Sequence, residues 1–257
     1  MSTLFNVVIP ARYSSTRLPG KPLLSIAGKP MVRHVYERAI ESGAQNVVIA
    51  TDDPRIITAC ESFSARVCLT DKDHLSGTDR IAEVVTRYGW SDDSIVVNLQ
   101  GDEPLMDPEL IKQVADDLAN HRDAAITTLC SPINHAAELL DPHVVKVVTS
   151  RDGYAMYFSR APIPWDRDAF EIDRETLPDG SEHYRHIGLY AYRAGFIKQY
   201  SEIEPCYVEQ TESLEQLRAL WNGFLIHVSI TENPPGHGVD TQQDLDRVID
   251  LLSINKV

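Results

Sequence analysis

The sequence is short of several things, and each shortage narrows the field. Four cysteines occur in 257 residues, Cys60, Cys68, Cys130 and Cys206, and none forms a CxxC pair. That leaves no zinc ribbon and no disulfide framework, so free thiols in a reducing cytoplasm are expected. No apolar run approaches the ~20 residues needed to cross a bilayer. The opening MSTLFNVVIPAR lacks a basic stretch followed by a long apolar core, so no signal peptide is expected. Positive charge is scarce: 24 Lys and Arg face 38 Asp and Glu, for a net charge of −14. Such a surface disfavours nucleic acid and anionic membranes as partners. Internal repeats, low-complexity tracts and Pro/Ser-rich linkers are absent too.

What is present reads as an α/β protein. Hydrophobic residues make up 43% and charged residues 24%, enough for a sizeable core. FNVVIPA, NVVIAT, ARVCLT, SIVVNLQ and AAITTLC are short apolar runs of strand type. Between them lie segments of helical period. Val32, Val35, Tyr36, Ala39 and Ile40 share one face, and so do Ile81, Val84, Val85 and Tyr88. DDPRIITACESF and PELIKQVADDLA complete the alternation. Strand–helix alternation over the first 130 residues predicts a Rossmann-like, mostly parallel sheet flanked by helices. Beyond about residue 140 the alternation stops. VVKVVTS, GYAMYFSR, HIGLYAYR and LIHVSITEN read as strands, SLEQLRALW and TQQDLDRVIDLL as helices, and residues 161–185 show little period. In the closing helix Leu245, Val248, Ile249 and Leu252 share a face, with Thr241 and Asp244 as a capping pair. A mixed-sheet C-terminal elaboration within a single domain, residues 1–257, is therefore expected.

Against the acidic background, PARYSSTRLPGKPL stands out. It carries Arg12, Arg17 and Lys21 with no acid between them, at the end of the first strand. Ligands of parallel sheets bind at such ends. Arginine can clamp phosphate oxygens in pairs, and lysine can follow them as a mobile point charge. A solvated basic loop is the plainer alternative. The loop is neither a Walker A motif nor GxGxxG. QGDEP places Asp102 and Glu103 after another apolar strand, where Asp102 can ligate a hard cation or close an Asx turn. PPGHGVDT sets glycines around His237 and ends on Asp240, a second carboxylate or a helix cap. In DHLSGTDR, Ser76, Gly77 and Thr78 open a helix; they can admit a nucleobase, cap the helix with Asp79, or both. Cations on one loop and carboxylates on two distant turns form the set that Mg²⁺-dependent nucleoside triphosphate chemistry needs.

IPARYSSTRLPGKPL, DHLSGTDR, NLQGDEP, YFSRAPIPWDRD, RHIGLYAYR, LEQLRALW and GVDT follow one another along nearly the whole chain. Together they resemble the 3-deoxy-manno-octulosonate cytidylyltransferase (CMP-Kdo synthetase) family of nucleotidyltransferases. The resemblance implies a nucleotide-diphospho-sugar transferase type of fold and the reaction CTP + Kdo → CMP-Kdo + pyrophosphate, Mg²⁺-dependent and serving lipopolysaccharide biosynthesis. It implies a cytoplasmic homodimer. Residues 1–130 would be the nucleotide-binding half, 131–230 the sugar-binding and dimerisation elaboration, and 231–257 the metal-ligand turn and closing helix. Arg12, Arg17 and Lys21 would meet the triphosphate, and Ser76, Gly77, Thr78 and Arg80 would lie along the nucleotide. Asp102 and Asp240 would hold the metal. Gln100, His186, Tyr190 and Glu215 would surround the sugar acid, with Arg160 near its carboxylate. Two stretches depart from the family pattern: Gln242–Gln243 after GVDT, and residues 169–184. Other readings are activation of a different 2-keto sugar acid (sialic acid or an 8-amino Kdo analogue), a glycosyltransferase using DKD (71–73) or DRD (166–168), and a non-catalytic nucleotide-binding module.

Overall fold

The computed structural model describes residues 3–14, 17–74, 76–236 and 238–254. In chain order the first elements are β1 (Phe5–Pro10), β2 (Ser25–Ile26), β3 (Lys29–Pro30), α1 (Met31–Glu41), β4 (Asn46–Thr51), α2 (Pro54–Glu61) and β5 (Arg66–Leu69). Next come α3 (Gly77–Arg87), β6 (Ile95–Asn98), α4 (Pro108–Asn120), β7 (Ile126–Pro132), α5 (Ala136–Leu140), β8 (Lys146–Thr149), β9 (Ala155–Ser159) and α6 (Ala169–Ile172). The chain continues with β10 (Tyr184–Arg193), α7 (Ala194–Tyr200), α8 (Tyr207–Glu212), α9 (Gln216–Trp221), β11 (Ile226–Ile230) and α10 (Gln242–Ile254). They fall into two compact units: Met1–Asp116 with Ala191–Ser201 and Pro235–Val257, and Asp117–Tyr190 with Glu202–Pro234.

The first unit is built on parallel strands in the order β6-β1-β4-β5. The central strand β1 is buried from Phe5 to Ile9, as its near-continuous apolar run requires of a strand covered on both faces. The one polar residue inside it, Asn6, accepts a 2.7 Å hydrogen bond from Asn46 of β4, so its amide is not stranded. Helix α1 buries Met31, Val32, Val35 and Ala39, while Ile40, expected on that face, is 49% exposed. Helix α3 buries Ile81, Val84 and Val85 as its period predicts. Ser76 caps it: its hydroxyl accepts from the Asp79 N–H, and Asp79 reaches back to the Ser76 N–H. Thr241 and Asp244 make the same exchange at α10.

The second unit carries the mixed sheet. β11 pairs with β7 in parallel, β10 adjoins β7, and β8 is antiparallel to both β10 and β9. The segment without period, residues 161–185, is anchored by Phe170, which is buried with Ile133 and Leu139. SLEQLRALW does not form one helix: Ser213 turns left-handed (φ 53°) to end α8, and α9 starts only at Gln216. Lys146 is fully buried, and its ammonium donates to the carbonyls of Asp141 (2.8 Å), Val144 (2.7 Å) and Arg160 (2.6 Å).

Candidate active site

In the first unit a cavity of about 420 Å³ opens at the carboxyl ends of β1 and β6. It is lined by the cationic loop, by Gln100–Asp102, by Gly77 and by Asp240. Two close approaches shape it. At Gly101 any Cβ would stand 2.6 Å from the Pro10 carbonyl oxygen, so only glycine lets the QGDEP turn lie against the end of β1. At Gly238 a Cβ would come 2.7 Å from Glu103 Oε1, and the next residue, Val239, donates its N–H to the Asp102 carbonyl at 2.8 Å. The two distant acidic turns are therefore joined backbone to backbone. Beneath them Val239 is buried with Leu18 of the cationic loop, Ile26, Met31, Leu245 and Val248. One apolar cluster thus positions both the cations and the second carboxylate.

The electrostatic centre is Lys21. Its ammonium donates to Asp102 Oδ2 (2.7 Å), Asp240 Oδ1 (3.0 Å) and the Val239 carbonyl (2.9 Å). Burial works to lower the Lys21 pKa, but Asp102 and then Asp240 outweigh it and hold it above the usual lysine range. Arg17 pairs with Asp240 Oδ2 at 3.2 Å from an exposed position. Arg12 lines the cavity and ties the DHLSG loop to it, donating to the carbonyls of His74 and Ser76 at 2.8 Å each. Glu103 has no assigned role in the sequence reading. Burial, with Asp102 and Asp240 nearby, pushes its pKa up to about 8, so it is largely protonated at neutral pH. Its signal in the sequence was only its place beside Asp102.

The residues expected at the nucleotide and the metal, together with Gln100 from those expected at the sugar, divide into two groups. Arg12, Arg17, Lys21, Gly77, Gln100, Asp102 and Asp240 line one cavity. Ser76 caps α3, Thr78 is 6% exposed, and Arg80 is fully buried. Arg80 donates to Thr70 and, at 3.1 Å, to Asp52, so it supports the helix rather than lining the cavity. Gln100 also makes a weak 3.4 Å contact with Asn98. His237 lies outside the described residues.

The residues expected at the sugar, apart from Gln100, belong to the second unit. His186 and Tyr190 have ring centroids 5.4 Å apart, and Phe158 stands edge-on to His186 at 4.9 Å. The Thr128 hydroxyl hydrogen is directed at the carbonyls of Ile187 and Leu189, so its oxygen accepts from His186 Nε2 at 3.0 Å. His186 therefore carries its hydrogen on Nε2 and presents Nδ1 as an acceptor. Burial pushes its pKa down to about 3, which keeps it neutral. Arg160 donates to the carbonyls of Glu212 (2.7 Å) and Pro142 (3.1 Å), a bracing role. Glu215 is exposed at the start of α9. The DKD and DRD acids serve local turns: Asp71 accepts from the Asp73 N–H, and Asp166 from the Ala169 N–H.

The family profile described as cytidylyltransferase matches residues 6–230. A protein of Pseudomonas syringae pv. syringae named 3-deoxy-manno-octulosonate cytidylyltransferase is 57% identical over 253 residues, 98% of this chain and 99% of its own. One of the same name from Thioalkalivibrio sulfidiphilus is 57% identical over 249 residues, 96% of this chain and 98% of its own. A solved structure of CMP:2-keto-3-deoxy-manno-octonic acid synthetase complexed with CTP superposes with a TM-score of 0.89 at 41% identity. It covers 98% of this chain and 100% of that one.

Proposed function

This chain belongs to the cytidylyltransferase family, and on that premise we propose how its site works on CTP and Kdo. The reaction joins CMP to the sugar acid and releases pyrophosphate. The anomeric hydroxyl of Kdo attacks the α-phosphorus of CTP, and the bond to the β-phosphate oxygen breaks. An anionic sugar must approach a polyanion, and two unit charges 4 Å apart repel by about 4 kcal/mol at an effective dielectric near 20. Arg12, Arg17 and Lys21 offset that repulsion from one side of the cavity. The loop is basic because its ligand is more acidic than the protein. Holding the two substrates in register removes on the order of 7–11 kcal/mol of the barrier.

One observation carries this reading: Asp102 and Asp240, from turns far apart in sequence, both bond the ammonium of Lys21 (2.7 and 3.0 Å). Two carboxylates and a carbonyl aimed at one cation form the hard-oxygen set that suits Mg²⁺. Asp102 and Asp240 would hold that ion, which supplies charge neutralisation on the phosphates when bound. Lys21 would follow the departing pyrophosphate as a mobile point charge. Gln100, which lines the same cavity, offers its amide to the sugar acid. The test is pyrophosphate release with CTP, UTP or ATP crossed with Kdo or sialic acid, with and without Mg²⁺. Turnover confined to CTP, Kdo and Mg²⁺ is expected. Equal turnover with sialic acid, or undiminished turnover in EDTA, overturns the corresponding part.

Among the described residues no helix is long and apolar enough to cross a membrane, and all four cysteines are free thiols. Both suit an enzyme of the cytoplasm supplying Kdo to lipopolysaccharide. A homodimer is part of the same reading. Met156 (65%), Tyr207 (73%) and Trp221 (63%) of the second unit are exposed, and a second copy is the partner proposed to cover them. Sedimentation equilibrium at the mass of one chain would exclude it.

A further inference from the structure

We propose that Asp117, His121 and His227 form a zinc-binding site. None of the three lines the nucleotide cavity. Asp117 and His121 stand one helical turn apart at the end of α4, and His227 comes from β11. Their ligand atoms all lie within 4.8 Å of one another. His227 Nδ1 is 2.7 Å from Asp117 Oδ2, and His121 Nδ1 is 3.0 Å from Asp117 Oδ1. Two imidazole nitrogens and one carboxylate oxygen suit a borderline metal such as Zn²⁺ and are a poor set for Mg²⁺.

The arrangement is held from several sides. The two imidazoles stack at 3.6 Å with 16° between planes; His227 Nδ1 faces the Asp117 carboxylate, and His121 Nδ1 lies between that carboxylate and the Asp117 carbonyl oxygen, 2.9 Å away. Tyr154 stands edge-on to both rings, at 6.2 Å from His121 and 5.2 Å from His227. Gly153, with φ at +82°, clears the other side: a Cβ there would lie 2.6 Å from His227 Nε2. Asp117 and His227 are nearly covered, with side chains 9% and 11% exposed, while His121 at 32% leaves a way in. A carboxylate only accepts, so without an ion each Nδ1 facing it carries a hydrogen. Zinc takes the Nδ1 positions, and each neutral ring carries its single hydrogen on Nε2 instead. Three protein ligands leave a fourth position for water or an added ligand.

The experiment is equilibrium dialysis of the full chain against Zn²⁺ in excess Mg²⁺, with metal counted by atomic emission. One zinc per chain is expected. His121→Ala and His227→Gln should each weaken uptake more than about tenfold, since loss of a supporting partner alone costs 10–100-fold. Asp102→Asn, which removes a proposed Mg²⁺ ligand of the other site, should keep its zinc. Co²⁺ in place of Zn²⁺ should give a visible absorption band that the histidine variants lose. Absence of stoichiometric zinc from the unaltered chain overturns the proposal. So does unchanged affinity in His121→Ala shown to be folded by circular dichroism, or loss of the zinc in Asp102→Asn. His121 is the more exposed ligand, so its variant decides the question should His227→Gln fail to fold.

Discussion

Lys21 and Lys146 are both largely sealed from water, and each ammonium donates to three oxygens, yet the oxygens differ. Around Lys21 stand two carboxylates and one carbonyl. Around Lys146 stand three carbonyls. The pKa values move apart accordingly. Asp102 and Asp240 overcome the effect of burial and raise Lys21, whereas burial dominates at Lys146 and lowers it. Carbonyls contribute dipoles and no net charge, so the cage around Lys146 gives another cation little reason to enter. The carboxylates around Lys21 are acids as well as acceptors, and in the proposed mechanism a divalent ion would take the place of the lysine. Lys146 therefore pins a turn, and Lys21 occupies a position that a reaction can use.

The sharpest way to break this comparison is to neutralise one carboxylate. Asp102→Asn should reduce CTP-dependent pyrophosphate release at least about 10³-fold while the thermal melt stays near that of the unaltered protein, because electrostatic stabilisation is lost without a packing defect. Near-normal turnover in Mg²⁺ would remove Asp102 from the site. Lys21→Met should come next, with turnover down by on the order of 10²-fold and little loss of stability. An unfolded Lys21→Met would erase the distinction between the two lysines. Lys146→Met should do the reverse. It strands three buried carbonyls and should lower the unfolding free energy by about 3 kcal/mol, measured by urea titration, with turnover of the folded fraction retained.

A separate test lies in the pH dependence of Glu103. Its pKa is 4.5 when unperturbed and about 8 in the folded chain. Between those values the folded chain keeps a proton that the unfolded chain has released. Stability therefore falls as pH rises from 4.5 towards 8 and levels off above it. Melting curves without divalent ions should show that decline, and Glu103→Gln should flatten it. A decline that persists in the variant would assign the proton elsewhere, and the charge around Lys21 would need recounting.

The first unit was readable because each of its rules is local. Buried parallel strands require unbroken apolar runs, and helices between them require a 3.6 period; FNVVI and the α3 face satisfy both. The lining of the cavity was readable for a related reason: three cations on one loop of an acidic chain mark a local reversal of charge, and all three line the cavity. Arg80 shows where motif reading and helix geometry part. It sits in GTDR beside Ile81 and one turn before Val84, so the period places it inward, where Asp52 and Thr70 receive it. The second unit hid more because its signals are tertiary. Helix α7 follows β10 directly, and HIGLYAYRAGFIKQY is apolar enough to read as strand throughout. Phe170 looks isolated in a polar stretch until Ile133 and Leu139 are brought against it. The Asp117–His121–His227 group spans 110 residues, and only the meeting of α4 and β11 discloses it.

The join between Val239 and the QGDEP turn bears on how this protein can be cut. Residues 6–230, the stretch that the family profile matches, contain the described strands of both units except for Phe5 of β1 but stop short of Asp240. A fragment trimmed to that boundary would keep the scaffold and forfeit one of the two acids on Lys21. It would also lose Val239, Leu245 and Val248, against which Leu18 of the basic loop packs. The closing helix and the turn before it are thus the floor on which the first loop stands, and the stretch matched by the family profile is shorter than the stretch that builds the cavity.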